Sequence, residues 1–326
     1  MIKIAVVGLG YMGQNHVRVL SGLQNVSLIA VCDIDEAKTN KIAKQYKVKP
    51  YQDFKVMIQH EKLDAVFICL PTVSHFSSAL FATKKKIAVF IEKPITSNIK
   101  QADQLIKASH QYKTPLMVGH IERFNTVVGE IKNRLKSKEL GKIFKIHTRR
   151  FSPPSGRAED VSAIIDLATH DIDIVKYLID QPIERIYSET EAFNHKKEDI
   201  MSALLKFKNG VIGLMEVSWL HPSKIRKLSV LGERGTYEAD YITQELLFYR
   251  QNKKMSTIYE SPAQYNSADL IRIAFKSQEP LAIELQAFVN ALIHKRKMPV
   301  TAEEGREALL IAEKISRSGL SHKIVK

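Results

Sequence analysis

Through the first 120 residues, short apolar runs alternate with amphipathic stretches. Strand-like runs fall at Ile2–Val7, 27–32, 65–70, 87–91 and Leu116–Gly119, with helix-period segments at 15–23, 37–46 and 101–112 between them. Short buried strands alternating with helices predict a parallel, doubly wound sheet. The pattern changes after Gly119. Residues 121–136 predict a connecting helix, Ile143–Phe151 a long strand with period-two character, and 163–178 a further helix. Strands follow at 183–193, 201–207, 211–219, 227–231 and 246–250, and Lys208-Asn209-Gly210 reads as a hairpin turn because Asn-Gly tolerates positive φ. The expected architecture is α/β: a Rossmann-like parallel sheet over 1–120 and an α+β domain with a large, mostly antiparallel open sheet over 121–326. Helices at 281–295 and 302–317 are free to pack on either domain. The segment 152–160, with Pro153, Pro154 and Gly156, reads as an exposed loop near the junction.

The first strand runs directly into Gly8-Leu9-Gly10-Tyr11-Met12-Gly13, which then opens a helix. In that setting Gly8 allows the tight turn, Gly10 lets a pyrophosphate approach the backbone, and Gly13 lets the helix approach the sheet. The helix N-terminus offers free N–H groups to phosphate, and Tyr11 and Met12 supply two of them. Asp33, at the end of the second strand, is placed to accept hydrogen bonds from the adenine ribose. A carboxylate there repels a 2′-phosphate, so NAD is expected over NADP; the nearby cation Lys38 is expected to face water.

Charge and cysteine content narrow the field. There are 49 Lys and Arg against 35 Asp and Glu, a net charge of +14. The basic residues are scattered, and the one short run, Lys84-Lys85-Lys86, reads as a solvated turn, so no nucleic-acid partner is expected. Cys32 and Cys69 lie in strand interiors without a CxxC or zinc pattern and read as buried thiols. Without a membrane-length apolar run or a leader-like start, a cytoplasmic protein with no membrane partner is expected.

The candidates for chemistry cluster at strand ends, where open α/β sheets bind ligands. Glu92-Lys93-Pro94 follows the run 87–91. Lys93 can stabilise a developing alkoxide or simply snorkel, and the base rate for Pro94 is trans. His75, after Pro71-Thr72, is either near the cofactor cleft or a solvent-exposed helix start. His120, Arg123 and Asn125 follow Leu116–Gly119; each is a candidate for substrate or nicotinamide, and Arg123 equally for an interdomain salt bridge. Asp166 and His170, four apart on a helix, suit an oriented general base, although spacing alone fits a surface salt bridge better. They also fit a metal pair, but no third ligand is placed, so no metal is expected. Trp219 and Tyr241 read as sugar-lining or core aromatics.

Taken in this order, Gly8–Gly13, Asp33, Pro71-Thr72 with His75, Glu92-Lys93-Pro94, Gly119 with Arg123-Phe124-Asn125, and Asp166 with His170 resemble the glucose–fructose oxidoreductase and inositol dehydrogenase (Gfo/Idh/MocA) family over nearly the whole chain. The stretches 119–125, 165–173 and 216–220 are most similar to its UDP-N-acetylglucosamine 3-dehydrogenase type. The resemblance implies an NAD(P)-dependent oxidoreductase acting on a sugar hydroxyl, with Lys93, Asp166 and His170 catalytic. It implies cofactor contacts from Gly8, Gly10, Tyr11, Met12, Gly13, Asp33, Pro71, Thr72, His75, Glu92 and Lys93. Substrate contacts are expected from Lys93, Arg123, Asn125, Arg149, Asp166 and His170, and homodimers or homotetramers are expected. Arg149, with Arg150 and Arg157, is placed to meet a diphosphate or lies at a solvated strand end. Two departures stand out: Ala168 where many members have glycine, and Thr126 where proline is common. A free-sugar or cyclitol dehydrogenase and a non-catalytic NAD-binding regulator are the other readings.

Overall fold

The computed structural model describes residues 1–154, 161–251 and 268–326. Arg157 and most of the proline-containing loop therefore lie outside the described residues. The chain forms two compact units: Met1–Ile121 with Glu279–Leu310, and Glu122–Gln278 with Ile311–Lys326. It thus passes between them three times.

In the first unit, β1 (Ile2–Val7), β2 (Val26–Cys32), β3 (Lys49–Tyr51), β4 (Ala65–Ile68), β5 (Ala88–Glu92) and β6 (Leu116–Gly119) form one sheet in the order β3-β2-β1-β4-β5-β6. Every pairing is parallel. β4 and β5 are buried along their whole length, which is why they read as unbroken apolar runs. Crossovers are α1 (Tyr11–Leu20), α2 (Glu36–Tyr46), α3 (Phe54–His60), α4 (Thr72–Lys84) and α5 (Ile99–Tyr112). A later helix, α8 (Pro280–Ile293), also belongs here. Its Phe288 meets the stacked rings of Phe67 and Phe90 edge-on at 5.2 and 5.6 Å. Burying such a ring contributes roughly 1.5–3 kcal/mol. Thr301 bridges Met117 on β6 just before α9 (Ala302–Ser321) begins.

In the second unit, β7 (Ile143–Phe151), β8 (Ile183–Glu191), β9 (Ile200–Phe207), β10 (Ile212–Ser218), β11 (Ile225–Gly232), β12 (Gly235–Asp240), β13 (Glu245–Gln251) and β14 (Ala268–Ile273) form a sheet in the order β14-β13-β12-β11-β7-β10-β9-β8. Only β7 and β10 pair in parallel among the described strands. One face is core: Ile146, Thr148 and Arg150 of β7 point into it, while Lys145, His147 and Arg149 point away. The other face carries the partly exposed Leu204, Ile212 and Leu231. The last part of α9 docks on β8: the Ser188 N–H donates to Ser318 Oγ (3.0 Å), and Val325 bridges Ile186 along the outer edge. That bridge covers part of a strand edge that would otherwise be open for pairing.

Three expectations are corrected. The helix over 121–136 is broken: a 3₁₀ turn, Ile121–Phe124, ends at Asn125, whose side chain caps α6 (Thr126–Lys136). The helix over 163–178 opens as a π-helical turn, Ile164–Ala168, before α7 (Thr169–Ile179). β3, β12 and β14 were not anticipated. Among the described residues no helix is long and apolar enough to cross a membrane.

Candidate active site

The glycine loop is shaped by close backbone contacts. Gly8 has φ +87°, and a Cβ there would lie 2.6 Å from the Cys69 carbonyl oxygen. A Cβ on Gly13 would lie 1.8 Å from the Gly8 oxygen, whereas one on Gly10 would meet nothing within 4 Å. Gly8 and Gly13 are therefore required by the fold, and the space at Gly10 is open. No side chain caps the start of α1 and no acidic residue occupies its first turn, leaving its N–H groups for an anion.

Asp33 is tied to this loop: its Oδ2 accepts the Leu9 N–H at 2.6 Å and its Oδ1 the Asp35 N–H at 3.0 Å. Lys38 is not simply solvated; its Nζ lies 3.3 Å from Asp35 and 4.0 Å from Asp33. Next to this carboxylate, Ile34 is 91% exposed, and Tyr11 at the start of α1 is 77% exposed. An open cradle, an uncapped helix start, an oriented carboxylate and bare apolar side chains fit a dinucleotide. Burial pushes the neighbouring Cys32 thiol up to about 12, which keeps it inert.

The ends of β4 and β5 are joined through His75. Its ring is buried, with Nδ1 2.8 Å from the Pro94 oxygen and Nε2 2.8 Å from the Leu70 oxygen. It is neither solvated nor open to a ligand through these nitrogens. Burial holds its pKa below the usual histidine value, so a neutral ring has one N–H to offer two carbonyls. Pro71 precedes α4, and Thr72 is its first residue. Lys93, half-buried, stands just beyond β5, and the Lys93–Pro94 bond is cis, against the base rate. Glu92 is buried, and its Oε1 lies 2.8 Å from Nε2 of His16 on α1.

In the second unit, Asp166 sits inside the π turn and His170 in the first turn of α7, both half-buried. π turns recur at functional sites. The small Ala168 is fully buried within this turn, where a glycine would leave a methyl-sized space. Two buried ion pairs hold α7. Arg150 donates to Asp171 through Nε (3.0 Å) and Nη2 (2.9 Å), and to Glu122 through Nη1 (2.8 Å). Arg123 pairs through two nitrogens with Asp173 of the same unit, 3.0 Å at Nε. Burial works against the Arg150 charge, but Asp171 and Glu122 hold its pKa above the ordinary value. The Asn125 amide donates to the Tyr241 carbonyl at 3.1 Å. Thr126, in place of proline, begins α6 and bonds Gln244 through its hydroxyl.

Arg149 and Arg150 therefore do different things. Arg149 is exposed on the open face, beside a shallow cavity of about 160 Å³ that His147 and Lys227 also line. Trp219 and Tyr241 are buried, which assigns them to the core. Arg226, at the start of β11, donates to Ser152 Oγ at 2.6 Å, and burial with the nearby Arg150 lowers it to about 10 although Asp166 also faces it.

Residues 2–120 match the family described as "Oxidoreductase family, NAD-binding Rossmann fold", and residues 128–238 match the "GFO/IDH/MocA C-terminal domain". The chain belongs to the Gfo/Idh/MocA family. The chain is similar to a myo-inositol 2-dehydrogenase of Thermotoga maritima, 24% identical over 97% of this chain and 96% of that protein. It is also similar to a UDP-N-acetylglucosamine 3-dehydrogenase of Acidithiobacillus ferrooxidans, 23% identical over 95% of each chain. The two are equally near, so similarity does not single out the nucleotide-sugar type. The solved scyllo-inositol dehydrogenase of Lactobacillus casei, with bound NAD(H) and scyllo-inositol, matches the fold at a TM-score of 0.82 and 21% identity over 100% of this chain and 98% of that one.

Within this Gfo/Idh/MocA chain, the first unit brings together Gly8–Gly13 with Asp33, and His75 with Pro94 next to Lys93. The second brings together Arg123, Asn125 and the start of α7 with their own structural partners. Sequence reasoning missed His16, Arg226, Asp171 and Asp173. Each had a signal: a charged or polar residue at a position where the helical or strand period calls for an apolar one.

Proposed function

We propose that this protein is an NAD-dependent dehydrogenase of a secondary hydroxyl on a nucleotide sugar, with UDP-N-acetylglucosamine the first candidate. The observation that carries the hydride-transfer reading is a lysine at the carboxyl end of β5 in the same unit as an open glycine cradle. The strongly basic chain, with a net charge of +14, favours an anionic substrate. The equal similarity to inositol dehydrogenases favours a second reading, a free cyclitol substrate.

Bound NAD supplies the hydride acceptor. Gly8–Gly13 and the α1 N-terminus are the residues to hold its pyrophosphate, and Asp33 its adenine ribose. His170, oriented by Asp166, takes the hydroxyl proton. Lys93 stabilises the alkoxide oxygen as the O–H and C–H bonds break and the carbonyl forms, with the proton on His170 and the hydride transferred. We also assign the chain a homodimer or homotetramer, because its open sheet face keeps apolar side chains exposed.

The test is a panel of UDP-N-acetylglucosamine, myo-inositol, scyllo-inositol and free hexoses with NAD or NADP, followed by NADH or NADPH absorbance. Turnover of the UDP-sugar above all others supports the first reading, and of a cyclitol the second. An absence of even single-turnover hydride transfer would return the chain to a binding role. On the substrate found, His170→Ala is expected to lower kcat by about 10²-fold; unchanged turnover removes it as the base. Asp33→Ser is expected to raise the kcat/KM ratio of NADP to NAD by about tenfold, because it removes a charge that repels the 2′-phosphate. An unchanged ratio would mean that Asp33 does not meet the ribose.

A further inference from the structure

Glu92 and His16 form a buried polar pair that no step above uses. His16 is fully buried, and Glu92 is 8% exposed. Their contact is the 2.8 Å hydrogen bond between His16 Nε2 and Glu92 Oε1. Aromatic rings flank it, Phe90 edge-on at 5.3 Å and Phe67 tilted at 6.0 Å. Its Nδ1 is buried with no hydrogen-bond partner among the described residues. An apolar residue would fill this aromatic box without leaving a nitrogen unsatisfied, so packing does not explain a histidine here. The opposite wall also makes room for the carboxylate. On β6, a Cβ at Gly119 would crowd the Phe90 ring at 3.0 Å and Glu92 Cδ at 3.3 Å.

The second oxygen of Glu92 points along the chain. Oε2 accepts the main-chain N–H of Lys93 at 3.3 Å. One carboxylate therefore connects α1 to the residue that is proposed to hold the alkoxide.

We propose that His16 is a positioning residue: its Nε2–H donates to Glu92, holds that carboxylate against the Lys93 main chain, and so sets where the Lys93 ammonium stands. The inference rests on the reading of Lys93 as the alkoxide-stabilising group. Burial alone would push the Glu92 carboxyl up. The hydrogen bond from His16, with the Lys93 ammonium nearby, holds it below the usual carboxylate range. The groups around it are His16 from α1, His75 from α4, Lys93 beside it, and Cys69 after β4, with Glu284 of α8 facing Cys69. Without the His16 donor, desolvation dominates and Glu92 takes up a proton at a higher pH. The group next to Lys93 then turns from a fixed anion into a neutral acid, and kcat gains a limb that rises with pH.

The experiment compares full-length wild type, His16→Gln, which keeps an N–H donor, and His16→Leu, which removes it. The Glu92 carboxyl is followed by ¹³C NMR on glutamate-labelled protein, assigned by Glu92→Gln. NADH affinity is read by fluorescence, and kcat against pH with the substrate identified by the panel. Expected for His16→Leu is a Glu92 titration at least one pH unit higher, a kcat about tenfold lower at neutral pH with a new acid limb, and NADH affinity within about threefold; His16→Gln stays near wild type. A Glu92 titration that does not move in His16→Leu overturns the proposal, as does a His16→Gln variant that loses kcat to the same extent. If His16→Leu does not fold, the comparison of His16→Gln with wild type in the same NMR titration decides. The underlying reading fails separately, through undiminished turnover in Lys93→Met.

Discussion

Lys93→Met is expected to lower kcat by about 10³-fold while NADH still binds within about threefold of wild type. The size follows from charge. An ammonium about 4 Å from an alkoxide contributes roughly 4 kcal/mol at an effective dielectric near 20, and each ~1.4 kcal/mol is tenfold in rate. Methionine keeps most of the length and the apolar stem of the side chain and removes the ammonium, so a loss is chiefly electrostatic. Steady-state kinetics and a fluorescence titration with NADH separate the two effects. The deuterium isotope effect on kcat from substrate labelled at the reacting carbon is expected to rise, because hydride transfer then limits turnover. A kcat within a few-fold of wild type would exclude Lys93 from the chemistry.

Gly13→Ala and Gly10→Ala are expected to fail in opposite ways. At Gly13 the added methyl carbon would stand 1.8 Å from the Gly8 oxygen and 2.8 Å from the Gly8 carbonyl carbon. Both obstacles are backbone, so relief requires moving α1 from the sheet. The expected cost exceeds about 4 kcal/mol, a large fraction of the stability of an ordinary domain. At Gly10 nothing in the protein opposes the methyl group. That variant is expected to melt within a few degrees of wild type and to lose NADH affinity by about 10²-fold, because the methyl group occupies the pyrophosphate position. A thermal melt and an NADH titration on both proteins check this. A Gly13→Ala variant of normal stability would contradict the packing, and tight NADH binding by Gly10→Ala would contradict the cradle.

Much of this was legible from periodicity. β1, β6 and β7 begin and end where the apolar runs do. β12 was hidden because Gly235-Thr236-Tyr237-Glu238-Ala239-Asp240 has too few large apolar residues to stand out, although Tyr237 and Ala239 are core. The π turn was hidden because one widened turn leaves no compositional mark. Arg149 and Arg150 cannot meet one diphosphate together for a simple reason: neighbours on a strand face opposite ways. Asp171 and Asp173 are two buried carboxylates on different sides of α7, and their arginine partners lie 21 and 50 positions away in sequence, beyond any local pattern. For Glu92 the deciding residue, His16, lies 76 positions earlier.

The threefold passage of the chain between its units has an evolutionary consequence. Its last passage, between Leu310 and Ile311, falls inside the unbroken helix α9. Neither unit is a continuous stretch of gene. A recombination event at any single point, including the domain boundary near residue 120, would leave α8 and the front of α9 attached to the wrong partner. Exchange of a whole domain by a single crossover is therefore closed to this architecture, which leaves substitution within strands and loops that stay inherited together as the simpler route to a new substrate.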